Sequence, residues 1–168
     1  MGLDTSAARV WKRLTREEKL AAARHFWAEP PREVLGAAHA AVVQALRVRP
    51  QSARTLSPER KAAALASAAE PGELLAAALL VALHLGERRA LLGAFLDAAG
   101  FVHDNGLIAD EPAAPPVSEG VARRAYEAVS RAFPEDQVRT YLNTLWLQDH
   151  ERWGVLDKVV GDPGRSHL

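Results

Sequence analysis

Apolar positions recur along most of this chain with the three- and four-residue spacing of an amphipathic helix, and strand-like alternation does not persist outside the stretch FVHDNGLI at 101–108. Val34, Leu35, Ala38, Val42 and Leu46 fall on one stripe, and Leu142, Leu145, Trp146, Trp153 and Leu156 on another. The run LLAAALLVALHLG, Leu74 to Gly86, has no charged residue; its 13 positions are too few to span a bilayer and predict a buried core helix. The tryptophans at 146 and 153 lie two turns apart, the spacing of core residues, and Trp11 and Trp27 read the same way.

Punctuation between the stripes places the helix ends. Thr15 and Glu18 in TREE form a capping box, each able to satisfy a backbone N–H that the first helical turn leaves unpaired. The helix behind it stops near Ala28 at EPP, and Pro31 suits the first turn of the next. Ser57-Pro58-Glu59 gives a cap, a proline at the first position and an acid near the positive helix end. Gly86 and Gly100 are expected to close two helices as left-handed C-caps. Ser118 opens another helix, and Pro134 the last long one. The resulting expectation is an all-α single domain over residues 1–160, a bundle or short solenoid of antiparallel helical hairpins with about seven helices. Residues 101–117 form a Pro-rich connection and 161–168 a frayed tail.

The punctuation also repeats. LTREEK at 14–19 stands 42 residues before LSPERK at 56–61, Glu29-Pro30 answers Glu70-Pro71, and AFPED at 132–136 resembles AEPGE at 69–73. Hairpin repeats over 14–55, 56–100 and 118–160 would follow, as helical arrays are written.

Composition narrows the chemistry. Zero cysteines exclude disulfides, thiolate metal ligands and a cysteine nucleophile. The start MGLDTSAARVWKRL has early charge and no apolar signal core, so the cytoplasm is the expected compartment and no membrane partner is expected. Arginine far outnumbers lysine and alanine abounds, as in proteins of GC-rich bacteria. Net charge is zero but uneven: residues 1–62 carry 12 Lys/Arg against 6 Asp/Glu, and residues 63–168 carry 9 against 15. Such asymmetry marks either a nucleic-acid face or two halves that attract each other, within one chain or between two, and alone it does not decide between them.

Two constellations carry candidate chemistry. In FVHDNGLI, residues 101–108, a His-Asp pair precedes a turn. With His84 before it and Asp149 after it, His103 and Asp104 would complete a divalent-metal site for phosphoester cleavage, a metal-dependent phosphohydrolase. Against this, Asn105-Gly106 is a type I′ hairpin signal, and Asp149 reads as a cap for HERWGVLDKVV. The turn and the cap are the preferred reading, with no metal or other cofactor. The second constellation is the basic linker: Arg47, Arg49, Arg54, Arg60 and Lys61, with Glu59 as their only acid. Guanidinium groups hold phosphate or carboxylate through paired N–H donors. Nucleic acid is a disfavoured partner because no aromatic interleaves these cations and the second half of the chain is acidic. His25 and His39 lack a second ligand one turn away and read as ordinary helix residues. No phosphate-cradling glycine cluster or nucleophile elbow occurs. The function expected is therefore non-catalytic: a helical binding or scaffold protein whose partner is another protein or a second copy of itself.

Overall fold

A computed structural model describes residues 2–108 and 115–161. The readings of 109–114 as part of a Pro-rich connection and of 162–168 as a frayed tail fall outside the described residues. Every regular element among the described residues is an α-helix, and there is no β-strand. They are α1 Ala7–Arg13, α2 Arg16–Ala28, α3 Arg32–Leu46, α4 Pro50–Arg54, α5 Pro58–Ser67, α6 Glu73–Glu87, α7 Arg89–Ala98, α8 Glu119–Ala132, α9 Glu135–Gln148, α10 His150–Trp153 and α11 Leu156–Gly161. The count exceeds the expected seven because residues 7–13 form a helix of their own, a proline starts a short helix inside the linker RVRPQSART, and HERWGVLDKVV forms two further pieces that turn at Gly154.

The helix starts follow the side-chain chemistry. Thr15 accepts from the Glu18 N–H at 3.1 Å while the Glu18 carboxylate accepts from the Thr15 N–H at 3.0 Å, the reciprocal pair of a capping box. Ser57 and Ser118 cap α5 and α8 from one side only, each hydroxyl accepting from the N–H three residues on. Gly100 closes α7 at φ 78, with the Phe101 N–H reaching back to the Leu96 carbonyl at 2.9 Å. Gly86, by contrast, is no C-cap: it lies inside α6 without a positive φ. A Cβ there would stand 2.8 Å from the His25 ring, so the missing side chain lets α2 and α6 approach.

The chain divides into two compact units, residues 6–87 and residues 2–5 with 88–161. In the first, α2 packs chiefly on α6 and α5, α1 lies on α6, and α3 contacts α5, α4 and α6. Trp11, Phe26, Leu65, Leu75, Leu79, Leu80 and Leu83 are fully buried there. The Glu73 carboxylate, at the start of α6, accepts from the Ala7 N–H at 2.8 Å and from the Ser6 hydroxyl, so α6 caps α1 from outside. Those bonds, the Ser6 hydroxyl first, hold Glu73 below the ordinary carboxylate value.

In the second unit α7 packs on α8, and α8 and α9 both contact α11. Phe95 is its centre, edge-on to Tyr141 at 5.5 Å and tilted against Trp153 at 5.7 Å. Both tryptophans of the last stripe are buried. Residues 2–5 belong to this unit although 82 residues separate them from its remainder. Asn143, itself buried, accepts from the Asp4 N–H at 2.8 Å and donates to the Asp4 carbonyl at 2.9 Å, while Asp157 accepts from the Leu3 N–H at 2.6 Å.

Candidate binding site on the basic linker

The segment FVHDNGLI folds as a two-residue hairpin turn. Asn105 and Gly106 both take positive φ, 49° and 92°, and Asp104 and Leu107 exchange backbone hydrogen bonds of 2.8 and 3.0 Å across them. His103 serves this turn. Its Nδ1 accepts from the Gly106 N–H at 3.0 Å, which leaves the proton on Nε2, donated to the Asp97 carboxylate at 2.7 Å. Both ring nitrogens are thereby committed.

The other residues of the candidate metal site also serve their own helices. His84 is buried, and its Nδ1–H donates to the Leu80 carbonyl at 2.7 Å. Asp149 caps α10, its Oδ1 accepting from the Arg152 N–H at 3.0 Å. Among the described residues no group of three or more His, Asp or Glu is arranged to hold a metal ion.

The basic linker has a different character. Arg47 ends α3 in the left-handed region at φ 53, Arg49 precedes α4, Arg54 ends α4, and Arg60 and Lys61 lie in the first turns of α5. The four arginines are exposed and Lys61 is half-buried. None of the five forms an ion pair with a described residue. The nearest acid in sequence, Glu59, meets Arg24 of α2 instead, at 3.4 Å.

Packing of α3 and α2 on α5 brings two rings to these cations. Lys61 Nζ stands 5.2 Å from the centre of the Trp27 ring, within cation–π range. The His39 ring lies 5.2 Å from Trp27, tilted by 55°. Trp27 is 9% exposed, and neither its indole N–H nor His39 Nδ1 has a hydrogen-bond partner among the described residues. Enclosure of a ring nitrogen without a hydrogen-bond partner disfavours the charged imidazolium. Burial chiefly, then the charges of Lys61 and Arg54, hold its pKa below the ordinary 6.5.

Of this corner the sequence marked Arg54 and Lys61 as contact residues, but not His39 and Trp27. Their signal is tertiary: positions 27, 39 and 61 meet only because α2 and α3 pack on α5. Comparison of the chain with protein-family models, with curated proteins and with solved structures found no match.

Proposed function

We propose that this is a non-catalytic helical binding or scaffold protein, acting through protein–protein contact, with residues 47–61 as its contact surface. The observation that carries this is the absence of any described counter-ion for Arg47, Arg49, Arg54, Arg60 and Lys61, five cations within 15 residues. Unneutralised cations repel each other, and an acidic partner relieves that repulsion. The partner is another protein or a second copy of this chain, whose acidic half offers the complementary charge. Antiparallel helical hairpins would present the surface, in the cytoplasm, without a metal or organic cofactor. Nucleic-acid binding is disfavoured at this surface because Trp27 is buried under Lys61 and offers no free face for a base. The phosphohydrolase alternative is disfavoured because His103 gives one nitrogen to the turn and the other to Asp97 of α7.

Fluorescence anisotropy of labelled polyglutamate with the intact protein tests the reading. Binding should weaken as salt rises and weaken further in the double variant Arg47→Ala, Arg49→Ala. Absence of binding at low salt, or binding indifferent to the double substitution, would refute the proposal. Metal content of protein purified without chelator checks the alternative: stoichiometric metal lost in His103→Ala would favour it.

A further inference from the structure

We infer that the cleft between the end of α7 and the start of α8 binds a small monocarboxylic acid with a hydrocarbon body, its carboxylate held by Arg152. The cleft lies wholly within residues 88–161 and does not depend on the basic linker being a contact surface. Its volume is about 520 Å³, within the range of small-molecule sites. Phe101, Val102, Ile108, Pro116, Val117 and Val121 give it apolar walls, and Arg152 is the only charged residue among the described residues that line it.

The backbone of Arg152 is fixed from two sides. Its N–H donates to the Asp149 carboxylate at 3.0 Å, and its carbonyl accepts at 2.9 Å from the N–H of Val117, a wall residue. The guanidinium carbon stands 4.9 Å from the centre of the Phe101 ring and 5.9 Å from the centre of a Trp153 ring, both within cation–π range. Phe101 is itself a wall, so this contact places the guanidinium at the cleft. No described carboxylate pairs with the side chain, and Nε is enclosed without a hydrogen-bond partner. The two Nη groups have no described partner either and are not enclosed, which leaves their paired N–H donors for a ligand.

The ligand class follows from one cation set among apolar walls. The two oxygens of a carboxylate accept from a guanidinium in parallel, and the single charges cancel. A phosphate monoester carries about −1.5 to −2 at neutral pH and would leave charge uncompensated against apolar surface. A hydrocarbon body removes that surface from water, which acetate cannot do. Ser118, the other polar side chain of the lining, is engaged in capping α8, its oxygen accepting from the Val121 N–H at 3.3 Å.

Titration calorimetry of the intact protein, with the Arg152 Nε–H signal followed by NMR, tests the inference. The probes are acetate, butyrate, hexanoate, octanoate, octylamine, octyl phosphate, and a short peptide with a free carboxyl end at an apolar residue. Octanoate should bind and shift the Arg152 signal, and affinity should fall by up to about fourfold for each methylene removed. Arg152→Gln should weaken octanoate about tenfold or more, the scale of a charge-assisted hydrogen bond. Because Arg152 packs on two rings, a second variant is needed: Val102 is a wall residue 92% exposed, so Val102→Asp brings a like charge to the cleft without disturbing the core and should also weaken octanoate. Arg124→Gln, an exposed cation of α8, should leave binding unchanged. Octylamine binding as tightly as octanoate overturns the role of Arg152, and acetate binding as tightly overturns that of the walls. Tighter binding of octyl phosphate overturns the single-charge assignment, and tighter binding of the peptide overturns the small acid in favour of a partner's chain end. No binding of octanoate overturns the inference outright.

Discussion

Three glycines around the hairpin turn form a series whose stability effects should differ in sign. Gly93 lies inside α7 with φ in the ordinary range, and a Cβ there would meet His103 Cε1 at 3.5 Å, an ordinary contact. Gly93→Ala should therefore stabilise by about 0.5–1 kcal/mol, the helix-propensity difference. Gly100 has φ 78 and open space around its Cβ direction, so alanine meets only backbone strain, about 1–2 kcal/mol. Gly106 combines φ 92 with a Cβ position 2.9 Å from Leu92 Cβ. Leu92 is buried on α7 and its Cβ is fixed by the helix, so it cannot swing aside. An overpacking cost of about 1–3 kcal/mol adds to the strain, for a total of about 2–5 kcal/mol. That is a large share of the roughly 5–15 kcal/mol stability of a domain. Urea unfolding followed by tryptophan fluorescence reads the order, because Trp146 and Trp153 are buried in the same unit. With a slope of about 2 kcal/mol per molar, Gly106→Ala should lower the midpoint by about 1–2.5 M and Gly93→Ala should raise it. A Gly106→Ala midpoint equal to wild type, or Gly93→Ala as damaging as Gly106→Ala, would refute the turn geometry.

Three titrations follow from the burial and bonding already described. The His39 NMR midpoint should lie below 6.5 and rise in Lys61→Gln; since the folded value is the lower one, its stability contribution is complete above pH 6.5 and declines as pH falls towards the folded value. A midpoint above 6.5 would contradict the neutral, half-buried ring. For Glu73 the folded value is also the lower one, so the contribution present above about pH 4.5 is lost as pH falls through it. Wild type should therefore be more stable than Glu73→Gln near neutral pH, the difference shrinking as pH falls through the folded value when unfolding is followed by circular dichroism, and a difference that does not change with pH would dismiss the cap. Burial raises the Tyr141 hydroxyl well above its ordinary 10; stability from that neutral phenol is present below pH 10 and lost above it. Ultraviolet titration of the Tyr126→Phe variant should show Tyr141 ionising only as the protein unfolds, and its ionisation near pH 10 in the folded protein would count against the packing of Tyr141 on Phe95.

Local chemistry was legible in the sequence wherever a side chain acts on its own backbone. Thr15 with Glu18, Ser57, Ser118, Gly100 and Asn105-Gly106 all perform the job their residue type implies. The buried tryptophans were legible too, because their spacing fits one helix face. Gly86 was misread since a glycine near a helix end looks the same whether it provides a positive φ or room for a neighbour; here it provides room for His25. Of the site, the exposed arginines could be named from their clustering. Trp27 and His39 could not, because what sets them apart is a neighbour 22 to 34 residues away.

The tether of residues 2–5 makes the second unit discontinuous along the chain. Leu3 and Asp4 find their hydrogen-bond partners, Asp157 and Asn143, 154 and 139 positions away. A contact of that separation must close a very long loop before it rewards the closure, which slows its formation. The tether is therefore expected to form late in folding, and a change at Leu3 or Asp4 should burden a late step rather than an early one.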